Sequence, residues 1–218
     1  HYTMRAAEFP AYVADVLEAA RESRSTGGPE VLLGVEADWL PDSFAHVEAL
    51  IAAHDFDLVL GSVHFLGDWA FDDPDLIARY EAWEPDALWE RYFDEVANAA
   101  GSGLYDVIAH PDLVKKFGGR PGVDPQPWYE QTALALQEAG CAVEVNTAGL
   151  RKPCREIYPS LELLKACRRR GVPATTGSDS HAPSEVGEGF DLARELLREA
   201  GYDSVVCFRK RVAEEVAL

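Results

Sequence analysis

Five metal-ligand-type residues, and one asparagine, stand where short apolar runs of the chain end. Glu36 closes the run 31–36, His64 the run 58–64, His110 the run 105–110 and Asn146 the run 142–146. The run 173–177 leads directly into Ser178, Asp179, Ser180 and His181. Carboxylate oxygen together with imidazole nitrogen suits zinc, manganese or iron. A carboxylate can also bridge two ions about 3.5–4 Å apart, a pair able to activate water and to stabilise the leaving oxygen of a displacement. A lone histidine at a strand end is ordinarily a hydrogen-bonded rim residue. Recurrence at the same end of successive runs is what makes Glu36, His64, His110, Asp179 and His181 a candidate metal site. For Asp179 and His181 the plain alternative is a capping aspartate beside a surface histidine. His46 and His54 fall on an expected helix and its end, and are not assigned to the site.

The elements that must position these residues follow from hydrophobic periodicity. Helices are expected over 9–22, 41–53, 85–100, 126–139, 160–170 and 186–200, the last two stopped by Gly171 and Gly201. The apolar runs named above are expected strands, with a short further strand at 204–208 and a terminal helical turn. Segment 65–83 reads as loop with some helix, and 111–125 and 147–159 as loops. Strand and helix alternate, and the runs are apolar on both faces, so a parallel sheet covered by helices is implied. No glycine-rich phosphate loop follows the first strand, which disfavours a nucleotide-binding doubly wound sheet. In a parallel barrel the C-terminal strand ends converge on one rim, bringing residues distant in sequence together.

Composition narrows the chemistry. The 218 residues carry 20 Lys+Arg against 38 Asp+Glu, a formal net charge of -18. That balance argues against tracking a nucleic-acid backbone. It would also repel a phosphate substrate, so bound metal ions are needed to reverse the field locally. No apolar run approaches the roughly 20 residues of a membrane helix, and no secretory signal opens the chain. Cys141, Cys154, Cys167 and Cys207 have no metal or dithiol spacing; they read as buried, reduced thiols of a cytoplasmic protein. Oligomeric state is not legible.

At the residues of the candidate site the sequence resembles the polymerase-and-histidinol-phosphatase (PHP) superfamily, and within it the histidinol-phosphatase branch. The stretches that carry the resemblance are GVEADW (34–39), LGSVHFL (60–66), VIAHPDLVKKF (107–117), VNTAGLRKPCREIYPS (145–160) and GSDSH (177–181). The resemblance implies an α/β fold, a distorted seven-stranded (β/α) barrel of the PHP type, holding up to three divalent ions. It implies hydrolysis of L-histidinol phosphate to L-histidinol and phosphate, in histidine biosynthesis. By that match Glu36 bridges the first and second ions, His64 and His110 complete the second, Asp179 binds the first and His181 the third. Substrate contacts are expected from the loops after His110 and Asn146, namely Lys116, Asn146, Arg151 and Arg155, arginine being suited to bidentate phosphate contact. Trp39 and Trp69 are expected to wall the substrate pocket, and Trp83, Trp89 and Trp128 to pack in the core.

The family's opening strand with His-x-His, a further loop histidine and a second strand ending in Glu-His have no counterpart here. His1 matches no motif and is expected to be a disordered terminal residue. Residues 1–218 are therefore expected to form a single, N-terminally incomplete domain lacking the barrel's first two strands. The second ion keeps its full protein set and the other two do not, so one bound ion and weak or no catalysis are expected unless a preceding segment exists. The alternatives are another PHP phosphoesterase, acting on nucleotides or other phosphate esters, and a catalytically impaired metal-binding remnant. An amidohydrolase ranks lower, because no strand ends in the bridging lysine common there.

Overall fold

The computed structural model describes residues 4–218; the expectation for His1 lies outside the described residues. The chain runs through α1 (Phe9–Thr26), β1 (Gly34–Asp38), α2 (Phe44–Ala52), β2 (Leu58–Ser62), the small hairpin β3 (Phe65–Leu66) and β4 (Trp69–Ala70), and α3 (Pro85–Gly101). It continues with β5 (Val107–Ile108), α4 (Gln126–Ala139), β6 (Ala142–Asn146), α5 (Leu161–Arg169), β7 (Ala174–Gly177), α6 (Phe190–Ala200), β8 (Ser204–Arg209) and β9 (Val212–Ala217).

Five parallel strands form the main sheet in the order β1-β2-β5-β6-β7. That order follows the chain without a switch point, the arrangement of a barrel arc and not of a doubly wound sheet. Among the described residues β1 and β7 each have one neighbour in this sheet, so the arc is not closed. Crossovers of one hand keep the helices on one face, and α3 packs on α4, α4 on α5 and α5 on α6.

Side chains alternate between the sheet's two faces. Val143 and Val145 point to the helices and join the large core with Val59, Phe93, Leu136 and Leu163. Ala142 lies on the other face, in a small cluster with Val107 and Phe208, flanked by Leu58, Leu60 and Val206. Glu144 and Asn146 share the face of Ala142 by the two-residue period, and Glu36 is the register partner of Leu60. The inner face thus carries Glu36 in one register row with Leu60, Val107 and Ala142, and Glu144 and Asn146 further along β6.

Several expected boundaries shift, each for a physical reason. The first strand starts at Gly34 and ends at Asp38, because Leu33 N–H donates to the Asp57 side chain (2.9 Å) before the ladder begins. Glu36 therefore lies in mid-strand, and His64 and His110 lie two residues past the ladder ends of β2 and β5. Gly187 and Gly189 adopt φ of 75° and 78°, which delays α6 to Phe190. The expected terminal helical turn is instead β9, antiparallel to β8. The two turn residues Lys210 and Arg211 both have positive φ (49° and 63°), as tight hairpin loops require. Acids hold them there: Asp57 accepts Lys210 N–H (3.0 Å) and Asp106 accepts Arg211 Nε–H (3.1 Å). Cys141 and Cys167 are buried as expected, whereas Cys154 is half-buried and Cys207 exposed. No helix among the described residues is long and apolar enough to cross a membrane.

Asp57 thus caps β1 and the hairpin turn at once. Asp57→Ala is expected to destabilise the fold by about 1–3 kcal/mol, the cost of stranding two backbone donors, read by urea unfolding. A loss below about 0.5 kcal/mol, the scale of an ordinary surface change, would contradict this role.

Candidate metal centre

Register brings the inner-face polar residues to one place. Glu36 Oε1 lies 3.1 Å from His110 Nε2 and 3.7 Å from His64 Nε2. One ligand atom from each of Glu36, His64 and His110 falls within 4.8 Å of the other two, the geometry of a cation site. The partners of these three fix their aim. Asp38 Oδ1 sits 2.6 Å from His64 Nδ1, leaving Nε2 to face Glu36, an arrangement that sets tautomer and orientation in metal-bound histidines. Ser62 Oγ donates to Glu36 Oε1 (2.5 Å). Glu144 Oε2 accepts His110 N–H (3.1 Å), and Tyr92 donates its hydroxyl proton to His110 O (3.3 Å). Glu36 keeps 39 % of its side chain open to solvent while His110 keeps 3 %, so the site opens through the carboxylate.

Electrostatics show what the cluster lacks. Burial opposes ionisation of Glu36, yet the hydrogen bond and charge of His110, with the charge of His64 and the Ser62 hydroxyl, bring it down to about 2. Burial opposes protonation of His110 as well, but the hydrogen bond and charge of Glu36 and the charges of Glu144 and Asp179 hold it up at about 9. A divalent cation at this point would be held by the deprotonated ligand atoms, and one carboxylate with two imidazoles is a fitting set for zinc and its neighbours. His110 Nδ1 is buried without a hydrogen-bond partner.

Asp179 and His181 fall outside this three-residue group. Asp179 has φ of 45°, and its charge is felt at His110. His181 Nδ1 lies 3.1 Å from Asp179 O and 3.6 Å from its Oδ1, while 77 % of the His181 side chain is exposed. His110 also has positive φ, 29°; such backbone is uncommon outside glycine and gathers at functional sites.

The expected substrate-binding side chains have partners of their own. Arg151 donates to Ser178 O (2.7 Å) and Asp179 O (3.1 Å) and pairs with Glu188 (3.1 Å), tying its loop to that of Asp179. Lys116 Nζ bonds Asp72 O (2.6 Å) and Oδ2 (3.0 Å). Asn146 caps the turn after β6 through Ala148 N–H and donates to Glu144 (3.0 Å). Arg155 (φ 53°) donates to Leu150 O (3.2 Å). Trp69 is buried and stacks on Trp83 at 6.1 Å, so it packs in the core; Trp83 is exposed at its edge, and Trp39 donates to Glu95 (2.7 Å). Sequence reasoning missed Asp38 and Ser62, each two residues from a residue it did select and so on the same face of an extended chain. It offered Glu144 as a substrate contact or as a partner of backbone groups at a strand end, and Glu144 accepts the His110 N–H.

A parallel five-stranded α/β sheet whose Glu36, His64 and His110 have the geometry of a cation site sets the class of the protein. The chain belongs to the PHP domain family, whose model matches residues 1–148; a PHP-associated model matches 162–199. A Deinococcus radiodurans protein described as "Probable histidinol-phosphatase" is 41% identical over 211 residues, covering 96% of this chain and 79% of its own. A Schizosaccharomyces pombe protein of the same description is 26% identical, covering 89% of this chain and 68% of its own. The fold resembles that of Lactococcus lactis histidinol phosphate phosphatase, crystallised with zinc, L-histidinol and phosphate. The TM-score is 0.80 at 22% identity, with 94% of this chain and 79% of that one covered.

The two shifts give opposite pH slopes. Glu36, lowered from 4.5, contributes stability above that value and loses it as pH falls toward about 2. His110, raised from 6.5, contributes fully below that value and loses it as pH rises through about 9. Metal-free protein is therefore expected to lose thermal stability from pH 6.5 to 9 while its zinc affinity climbs, as ligand protons are released more easily. A metal-free melting temperature that rises over this interval would contradict the pairing.

Proposed function

We propose that this chain is a metal-dependent phosphomonoesterase that hydrolyses L-histidinol phosphate to L-histidinol and phosphate. The observation that carries the reading is the convergence of Glu36, in the middle of β1, with His64 and His110, just past the ends of β2 and β5. The family membership and the descriptions of the relatives supply the substrate. Glu36, His64 and His110 would hold one divalent cation, zinc, iron or manganese; Asp179 and His181 are proposed as ligands of further ions beside it. A bound cation supplies positive charge against the phosphoryl oxygens and acidifies water at neutral pH.

The chain's own groups do the rest. Asp38 holds the His64 imidazole and Glu144 the backbone amide of His110, and Arg151 anchors the Asp179 loop through two backbone carbonyls. Arg155 is proposed as the direct phosphate contact, since its guanidinium bonds one carbonyl and no acid. Lys116, Asn146 and Arg151 are proposed to shape the pocket around the substrate. A formal charge of -18 makes such local positive charge necessary for any anionic ester.

The test is phosphate release by zinc-, iron- or manganese-loaded protein from histidinol phosphate, against nucleoside monophosphates and p-nitrophenyl phosphate. Histidinol phosphate is expected to give the highest kcat/KM, and Glu36→Gln to lower kcat by at least about 100-fold, the scale on which charge stabilisation acts. Equal turnover of all esters would remove the assigned substrate. Full activity in Glu36→Gln would remove the assigned site.

A further inference from the structure

Glu144 is a carboxylate with 4 % of its surface exposed, on the inner face of β6, and among the described residues it forms no ion pair with a lysine or arginine. Such a group is costly to bury unless its oxygens are hydrogen-bonded. Its Oε2 receives His110 N–H at 3.1 Å and Asn146 Nδ2–H at 3.0 Å. Its Oε1 side leans the other way, over the Cα of Gly177 on the neighbouring strand β7. A Cβ built on Gly177 would overlap Glu144 Oε1. Gly177 is not among the residues of positive φ, so backbone conformation does not demand glycine there. Space does.

His110 is the residue that needs holding. It has φ of 29°, a conformation that L-residues rarely adopt. Its amide points to Glu144 and its carbonyl to Tyr92 (3.3 Å), while its Nε2 meets Glu36. Backbone and ring belong to one residue, and among the described residues the side-chain acceptor on its amide comes from β6.

We propose that Gly177 and Glu144 are a positioning pair for the cation site. The missing side chain of Gly177 lets the Glu144 carboxylate lie across the sheet, where it holds the left-handed backbone of His110 and so points Nε2 at Glu36. The pair spans β6 and β7 and acts on β5, so a residue that touches no ligand governs the site through one that does. The inference rests on the metal reading of Glu36, His64 and His110 given above.

The experiment uses the full chain and four variants: Glu144→Ala, Glu144→Gln, Gly177→Ala and the double Gly177→Ala/Glu144→Ala. Zinc affinity is measured by competition with a chelator, and the His110 amide resonance is followed in metal-free protein. Glu144→Ala is expected to weaken zinc binding about 10–100-fold, the usual cost of removing a residue behind a ligand, and to shift the His110 amide. Glu144→Gln, whose amide oxygen can accept the same bond, is expected to restore most of both. Gly177→Ala is expected to weaken binding by a similar factor. The double variant should bind within about twofold of Glu144→Ala, because two substitutions acting through one contact do not add. An unchanged affinity in Glu144→Ala, a Glu144→Gln as weak as Glu144→Ala, or a double variant showing the product of the two losses would overturn the pair. Wild-type protein that takes up no zinc, or Glu36→Gln that takes up as much, would overturn the metal reading instead. The His110 amide in metal-free protein would then still decide the Glu144 contact.

Discussion

Three donor atoms aimed at one point need a positive charge there. Glu36 Oε1, His64 Nε2 and His110 Nε2 converge within a few ångströms, and Ser62 adds its hydroxyl to the same carboxylate oxygen. In the metal-free chain the Ser62 hydroxyl and the His110 Nε2–H can each donate to that oxygen, whereas a divalent cation would serve all three donors at once, a single charge centre among them. The surrounding architecture keeps that convergence from relaxing. Asp38 holds one imidazole, Glu144 holds the other's backbone, and Arg151 draws in the loop that carries Asp179.

The sheet divides its inner face between two tasks. Leu58, Leu60, Val107, Ala142 and Val206 pack with Phe208 of β8, and the turn between β8 and β9 is clasped by Asp57 and Asp106. Glu36 shares the register row of Leu60, Val107 and Ala142 at the β1 edge of the sheet, and Glu144 and Asn146 follow further along β6.

Much of this was legible in the chain. Helix 126–139 and strand 142–146 occur where periodicity places them, bounded by Pro127 near the helix start and by Gly140 at φ 71° after its end. The parallel sheet followed from strand–helix alternation, and three of the five expected ligands meet in one group. What escaped depended on long-range side-chain contacts. β9 follows a Lys-Arg turn that local turn chemistry does not announce, because its positive-φ backbone is stabilised by acids 105 and 153 residues away in sequence. Asp38 and Glu144 gain meaning only once β1, β2, β5 and β6 are in register. The tryptophans misled in part, since a large ring near a ligand strand is as readily core as wall, and Trp69 is core.

The most direct test of the central claim is a crystal structure of the chain soaked in zinc, with anomalous scattering recorded at the zinc edge. The account predicts an anomalous peak bonded to Glu36 Oε1, His64 Nε2 and His110 Nε2 at about 2.0–2.2 Å. Zinc bound elsewhere with these three side chains turned apart would contradict it.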